Sequence, residues 1–221
     1  MIDNNYKKNK VTNDVFPFNT CENPNKKGIA QPYSFIINAI GVFVIFYYLF
    51  QVKHFYTGLT IFLLGVFQSM HSFSHAFHIG ERELQNITHI TAILLGISFF
   101  YMFYNITKRL PHFSIIVILL TILSSDIYLT IEKYPFIYTF FTQISIFLII
   151  LVSYYSYLNQ SLRNIIKLLI PLTIVVSLIV LNEKYNCSTM LSNYPDFPFH
   201  IFVEITGFFI LVIIVRGFYK E

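Results

Sequence analysis

The segment FPFHIFVEITGFFILVIIV, residues 197–215, decides the class of this protein. It carries one charged side chain, Glu204. The hydrocarbon core of a bilayer is crossed by about 20 consecutive apolar residues in a helix. Because lipid offers no hydrogen-bond partner to the backbone, such a segment crosses it as a helix. The segment therefore predicts a transmembrane helix with a carboxylate at membrane depth.

Six further runs contain few or no Asp, Glu, Lys or Arg residues, and each predicts a span. One of them is interrupted only by Asp126, and another reaches spanning length if Lys167 extends its amine to the headgroups. The six runs are residues 34–52, 55–80, 84–107, 110–131, 134–162 and 168–182. With the segment 197–215 they predict an all-α bundle of seven transmembrane helices over residues 34–221, preceded by a polar N-terminal tail, residues 1–33.

The composition supports a multi-pass membrane protein. Hydrophobic residues make up 55% of the 221 residues and charged residues only 12%, whereas soluble domains carry about 25% charged residues. High hydrophobicity with low charge also excludes a disordered chain. The net charge of +4 is not gathered into a basic stripe with exposed aromatic residues, so no nucleic-acid partner is expected. The tail lacks an apolar stretch of the kind found in signal peptides.

The distribution of basic residues predicts an orientation. Seven spans place the two termini on opposite sides of the membrane. The loops on the C-terminal side carry more Lys and Arg than the other loops, which predicts a cytoplasmic C-terminus and an extracytoplasmic N-terminus. The tail residues Lys26 and Lys27 argue for the opposite orientation, because they lie close to the first span.

The two cysteines are predicted to lie on the same face of the membrane. Cys21 precedes the first span and Cys187 lies between the sixth and the seventh, so an even number of spans separates them. In the orientation above this face is extracytoplasmic, where disulfides persist. The two cysteines therefore either form a disulfide that holds the tail over the bundle or are unrelated thiols.

Histidines and carboxylates also collect at this face. The end of the second span, the start of the third and the start of the last meet there in a seven-span bundle. Ionisable side chains are costly at membrane depth, so they mark candidate functional sites. Imidazole and carboxylate groups at four-residue spacing are typical zinc ligands. The residues are His71, His75 and His78 in the second span, His89 in the third, and Asp196, His200 and Glu204 in the last.

Simpler roles remain open for several of these residues. A histidine such as His71 or His75 can sit in the membrane interface without binding a ligand. Asp196 stands two residues before Pro198, where a helix N-cap belongs. Glu204 can pair with a histidine across the bundle. Asp126 in the fourth span can be a structural hydrogen-bond partner or line a cavity.

Three stretches resemble the seven-span superfamily of alkaline ceramidases, Per1-type lipid-remodelling proteins and adiponectin-receptor-like proteins. The closest resemblance is to the alkaline ceramidases, which also carry the second cysteine of a disulfide at the position of Cys187. The matching stretches are Cys21-Glu22 with Ile29-Ala30-Gln31-Pro32 and Asn38, then Ser74-x-x-x-His78, then Asp196-x-x-x-His200. The resemblance thus implies a Cys21–Cys187 disulfide and a zinc site.

The resemblance implies particular metal ligands, with two departures from the family pattern. The ceramidases have an Asp where this chain has His89, and a His where it has Asp196. The set of three histidines and one aspartate is therefore kept with two members exchanged. The first choice of zinc ligands is His78, His89 and His200, with Asp196 orienting the site or acting as base. The second choice is His78, Asp196 and His200.

The resemblance further implies a zinc-dependent amidase whose substrate is a sphingolipid-like membrane lipid. Zinc lowers the pKa of a bound water toward about 7, and Ser74 would donate a hydrogen bond to the developing oxyanion. The family's calcium loop is matched at Glu22 but not at Gln31, which makes a calcium ion doubtful. The alternatives are a receptor-like or structural seven-helix protein with a structural metal site, or a membrane haem protein.

Overall fold

The computed structural model describes a chain of helices joined by turns and loops, and the described residues contain no strand. They are 20–23, 25, 27–76, 82–132, 134 and 136–221, without the side chains of 82–86 and 136. The helices are α1 (Pro32–Leu49), α2 (Phe55–Ala76), α3 (Arg82–Thr107), α4 (Phe113–Ile131), α5 (Phe136–Tyr154), α6 (Gln160–Asn193) and α7 (Ile201–Phe218), with a 3-10 turn, Tyr155–Tyr157, after α5. The prediction of an all-α protein is confirmed for these ranges.

Six of these helices are long and apolar enough to cross a membrane, which makes the chain a multi-pass membrane protein. Among the described helices, α2 does not reach this hydropathy although it is 22 residues long. Its C-terminal half carries the polar residues Gln68, Ser69, His71, Ser72, Ser74 and His75. The helix that carries the candidate metal ligands is thus the one whose membrane character is weakest by composition.

The last two helices differ most from the predicted boundaries. α6 extends over 34 residues, Gln160–Asn193, and passes through Pro171, where the sequence predicts a span over 168–182 only. Asn159 caps its start, because its side chain accepts a hydrogen bond from the backbone N–H of Leu162 at 2.9 Å. α7 begins at Ile201, four residues later than the apolar run, because residues 194–200 form turns.

The helices pack mainly in sequential pairs. α1 packs on α2 and α7, α3 packs on α2 and α5, and α4 joins the bundle chiefly through α5. One end of the core is filled by the stacked rings of Phe103 and Tyr154 and by the edge of Phe218 against Phe103. Polar side chains gather at the other end, where α2 ends and α7 begins.

The segment before α1 closes this polar end. The backbone N–H groups of Ala30 and Gln31 donate to the carbonyls of Ala76 and His75, at 3.3 and 2.9 Å. These carbonyls belong to the last two described residues of α2. The segment therefore packs against this part of α2 and brings its own side chains to the candidate site.

Candidate metal centre

Three side chains that can bind a metal ion converge between α2 and α7. His71 and His75 lie one turn apart on α2, and Glu204 lies in the first turn of α7. Both imidazole Nε2 atoms lie 3.1 Å from Oε1 of Glu204 and 3.4 Å from each other. Imidazole nitrogens and carboxylate oxygens are ligands of several divalent metals. This His71/His75/Glu204 group could therefore hold a metal ion.

The ring of His75 is oriented by a residue from the segment before α1. Nδ1 of His75 lies 2.6 Å from the amide oxygen of Gln31, and the amide nitrogen of Gln31 donates to the hydroxyl of Thr20. Because an amide oxygen only accepts hydrogen bonds, Nδ1 of His75 carries the proton. In the neutral ring, the lone pair of Nε2 then faces Glu204, as a metal ligand requires.

His200 lies beside this group and contacts two carboxylates. Its Nδ1 donates to Oε2 of Glu183 at 2.9 Å, and its Nε2 lies 2.8 Å from Oε1 of Glu204. The ring centroids of His200 and His75 are 5.4 Å apart. Three imidazoles thus surround a single carboxylate oxygen of Glu204.

The group is largely withdrawn from solvent. His75 is 0% exposed and Glu204 4%, and the neighbouring His200 is 2% exposed. The side chain of His71 is 12% exposed. A buried carboxylate is costly unless a cation or several hydrogen-bond donors balance its charge. Protonated imidazoles or a bound metal ion can balance Glu204 here, so the arrangement favours a cation at its centre.

A cavity of about 580 Å³ adjoins the group, within the size range of ligand pockets. Its wall is mostly apolar and is built by side chains of α1 to α7. The polar residues in the wall are Asn38, Gln68, His71, Thr88, Asp126, Gln143, Thr173 and Glu204. Since His71 and Glu204 belong to the wall, a metal ion held by the group would face an apolar chamber.

Glu22 adds a further carboxylate at this end of the bundle. It is buried, and the hydroxyl of Ser34 donates to its Oε2 at 3.2 Å. Burial raises the pKa of Glu22 to about 7, against the opposing influence of nearby His200. The neighbouring Cys21 lies at disulfide distance from Cys187, with 5.4 Å between the Cα atoms. This pair links the segment before α1 to α6.

The structure brings together only part of the predicted ligand sets. His200 lies at the site and contacts Glu204, but His78 lies outside the described residues. His89 is buried on α3, 3% exposed, and does not belong to the group that converges on Glu204 among the described residues. Glu204 contacts two histidines of α2, a pairing that the sequence left open as an alternative role.

Asp196 does not share a helix face with His200 and Glu204, although their four-residue spacing suggests it. A shared face needs a helix from Asp196 to Glu204, but Asp196 lies exposed in the turn that precedes α7. Only the step from His200 to Glu204 follows the helical spacing. The alternative role of Asp196 as N-cap is not observed either, because His200 holds that position.

Ser74, the predicted oxyanion donor, is turned toward its own helix. Its hydroxyl donates to the backbone carbonyl of His71 at 2.5 Å. Ser74 is also absent from the described residues that line the cavity. The structure therefore gives its hydroxyl a local role in α2.

Two residues of the site had no predicted role. Glu183 orients His200, and it lies one helical turn before Cys187 on α6. That spacing is a usable signal, since the face of α6 that carries the cysteine must face the segment before α1. Gln31 orients His75, and the sequence offers no comparable sign of that contact.

No protein-family model matches this chain, and no match is found among curated proteins or solved structures.

Proposed function

We propose that this chain is a zinc-dependent hydrolase that cleaves an amide bond of a long-chain, sphingolipid-like membrane lipid. One observation carries the proposal: the His71/His75/Glu204 group lies in the wall of a mostly apolar cavity inside a membrane protein. Such an arrangement can hold an acyl chain and present its polar end to a metal ion. The resemblance to the alkaline ceramidases supports the same reaction.

The spacing of the ligand atoms supports zinc. Ligands about 2.0–2.1 Å from a tetrahedral zinc ion stand about 3.3 Å from one another. The three candidate ligand atoms of His71, His75 and Glu204 are separated by 3.1, 3.1 and 3.4 Å. An ion bound at tetrahedral distance from all three therefore needs little rearrangement of the side chains.

The residues around the ligands would orient them and transfer protons. Zinc bound here would supply a Lewis acid that polarises a carbonyl and makes water a nucleophile near neutral pH. Gln31 keeps His75 in the tautomer that binds a metal. His200 is held by Glu183 and lies against Glu204, so it is placed to carry a proton to the leaving amine.

Gln68 is the side chain best placed to stabilise an oxyanion. It lies one turn before His71 on α2 and lines the same cavity. Its amide nitrogen donates one hydrogen bond to Oδ1 of Asn38, and an amide nitrogen has two hydrogens to donate. We therefore assign the oxyanion donor to Gln68 in place of Ser74.

The two cysteines support an assignment of the side of the membrane on which the candidate site lies. Disulfides persist outside the cytoplasm, and Cys21 and Cys187 lie at disulfide distance beside the candidate site. This supports an extracytoplasmic site in a seven-span protein with its C-terminus in the cytoplasm. A lipid whose scissile bond lies at the headgroup boundary of that leaflet would reach the site directly.

The test combines metal analysis with a lipid assay on purified protein in nanodiscs. Zinc content is measured for wild type, His75→Ala and Glu204→Gln, with His54→Ala as control because His54 is exposed. Fatty acid release is measured from ceramide, other N-acyl lipids and matched esters. We expect one zinc per chain, lost in both site variants and kept in the control, with amide cleavage that follows zinc content.

Two results would contradict the proposal. Stoichiometric zinc in both His75→Ala and Glu204→Gln excludes the assigned ligands. A folded, zinc-loaded wild type that cleaves no lipid amide or ester excludes the hydrolase.

A structural metal site is the second candidate, and the contact of His200 with Glu204 favours it. The imidazole of His200 lies outside the His71/His75/Glu204 group. If it turned toward a bound metal, four protein ligands would close the coordination sphere, as in structural zinc sites. X-ray absorption spectroscopy of the zinc-loaded protein separates the two functions. Three protein ligands and one exchangeable oxygen support the hydrolase, whereas four protein ligands support the structural site.

A further inference from the structure

Asp126 is a buried carboxylate of the cavity wall that the proposed reaction does not use. It lies on α4, is 0% exposed, and lines the same cavity as His71 and Glu204. α4 joins the bundle chiefly through α5, whereas the metal group lies between α2 and α7. The cavity therefore has two polar regions, one at Asp126 on α4 and α5 and one at the metal group on α2 and α7. The rest of its wall is mostly apolar.

The surroundings of Asp126 leave its charge poorly balanced. The hydroxyl of Thr142 donates to Oδ1, and the amide of Gln143 donates to Oδ2 at 3.4 Å, which is long for a hydrogen bond. Among the described residues, the ion pairs involve other carboxylates only. A carboxylate has about four acceptor sites. A hydrogen-bond donor of a molecule in the cavity can therefore bond to a remaining acceptor position of Asp126.

Both polar regions lie at a similar level of the bundle. Asp126 stands five residues before Ile131, the end of α4, and His71 stands five residues before Ala76, the last described residue of α2. In a bundle whose consecutive helices run antiparallel, the ends of α2 and α4 lie at one face. Along the helix axis, Asp126 then lies about 7.5 Å from Ile131 and His71 about 7.5 Å from Ala76, at 1.5 Å per residue.

We propose that Asp126, supported by Gln143, binds a hydroxyl or ammonium group of the lipid that occupies the cavity. The carboxylate supplies the acceptor, and the apolar wall between the two regions holds the chain. The inference rests on the proposed function only where it takes this lipid to be the substrate. It selects lipids that carry a hydrogen-bond donor near the scissile bond over lipids of equal length without one.

The first test uses wild-type protein, loaded with zinc in nanodiscs. Radiolabelled hexadecan-1-ol is bound and then displaced with unlabelled hexadecan-1-ol, hexadecylamine or hexadecyl methyl ether. The ether matches the alcohol in its chain but has no donor. We expect the alcohol and the amine to displace the label at least 10-fold better than the ether. Equal displacement by all three overturns the inference.

The second test assigns the preference to Asp126. Asp126→Leu removes the acceptor at similar volume, and replacing a buried charge with an apolar group is often neutral for stability. Glu132→Leu is the matched control, because Glu132 is exposed and lies outside the site. We expect the preference for donors to disappear in Asp126→Leu and to persist in the control. Persistence in a folded Asp126→Leu overturns the inference. If Asp126→Leu fails to fold, the donor preference is measured in Gln143→Leu and compared with that of wild type. An unchanged preference in Gln143→Leu then overturns the inference.

Zinc content and amide cleavage are measured on the same samples, which separates this inference from the proposed function. Donor preference that depends on Asp126, without any cleavage by wild type, refutes the hydrolase and keeps the binding site. Cleavage by wild type with no donor preference refutes the binding site alone.

Discussion

The amide oxygen of Gln31 lies 2.6 Å from Nδ1 of His75, so a residue ahead of the first helix sets the tautomer of a candidate metal ligand on α2. Gln31 is itself fixed twice, by the hydrogen bond from its side chain to Thr20 and by its backbone N–H to the carbonyl of His75. The metal group is therefore completed by the segment before α1, and its geometry depends on how that segment is held.

Gln31→Leu should weaken zinc binding without removing a ligand. Loss of such an outer hydrogen bond typically costs about 10- to 100-fold in metal affinity, because the ligand ring is no longer held in its tautomer. The measurement is zinc affinity by competition with a chelator. Gln51→Leu is the control, since Gln51 is exposed and its side-chain amide donates to the nearby carbonyl of Tyr47. Equal affinity in Gln31→Leu and wild type would show that the contact does not position the ring.

The pair Cys21 and Cys187 should form a disulfide that stabilises the folded protein. We expect mass mapping of unreduced protein from native membranes to show the linked peptides. The double variant Cys21→Ser with Cys187→Ser should unfold more easily, by about 2–4 kcal/mol on the usual scale for disulfides. Free thiols at both positions in native membranes would refute this prediction.

Glu22 should make stability depend on pH. Its folded pKa of about 7 lies above the ordinary value of 4.5, so the folded state binds the proton more tightly than the unfolded state. The stabilising contribution is complete below about pH 4.5 and is lost as the pH rises through about 7. We expect wild type to lose stability relative to Glu22→Gln between pH 5 and pH 8.

The measurement for Glu22 is thermal unfolding of both proteins at several pH values. Taking the difference between them isolates the contribution of Glu22, including its coupling to His200. Glu132→Gln serves as control, because Glu132 is exposed at the end of α4. A constant difference between wild type and Glu22→Gln across this pH range would contradict the raised pKa.

The helices could be predicted from the sequence because long apolar runs have few alternatives in a membrane. The start of α7 was nonetheless predicted wrongly from the apolar run 197–215. Pro198 suggests a helix start, but the chain remains in turns until His200. Because of that shift, Asp196 does not lie on the same helix face as His200 and Glu204. Hydropathy alone cannot detect it, since the turn residues Phe197 and Phe199 are as apolar as the helix.

The metal group could be predicted only as a set of candidates. The sequence shows that His71 and His75 share a helix face and that Glu204 is at membrane depth. It does not show which face of α2 meets α7, and the resemblance favoured His78. The contacts of Gln31 with His75 and of Glu183 with His200 join residues 44 and 17 positions apart. Contacts of that kind are set by helix packing and leave no local pattern.

The assignment of Gln68 as oxyanion donor predicts a particular pattern of activities. Gln68→Leu should keep zinc but lower kcat for lipid-amide cleavage by about 10²–10³-fold, the usual loss for one oxyanion donor. Ser74→Ala should lower kcat far less, because the hydroxyl of Ser74 donates to the carbonyl of His71. Gln51→Leu again provides an exposed control. Single-turnover fatty acid release, measured beside zinc content, decides between the two donors. A large loss in Ser74→Ala with normal activity in Gln68→Leu would return the role to Ser74.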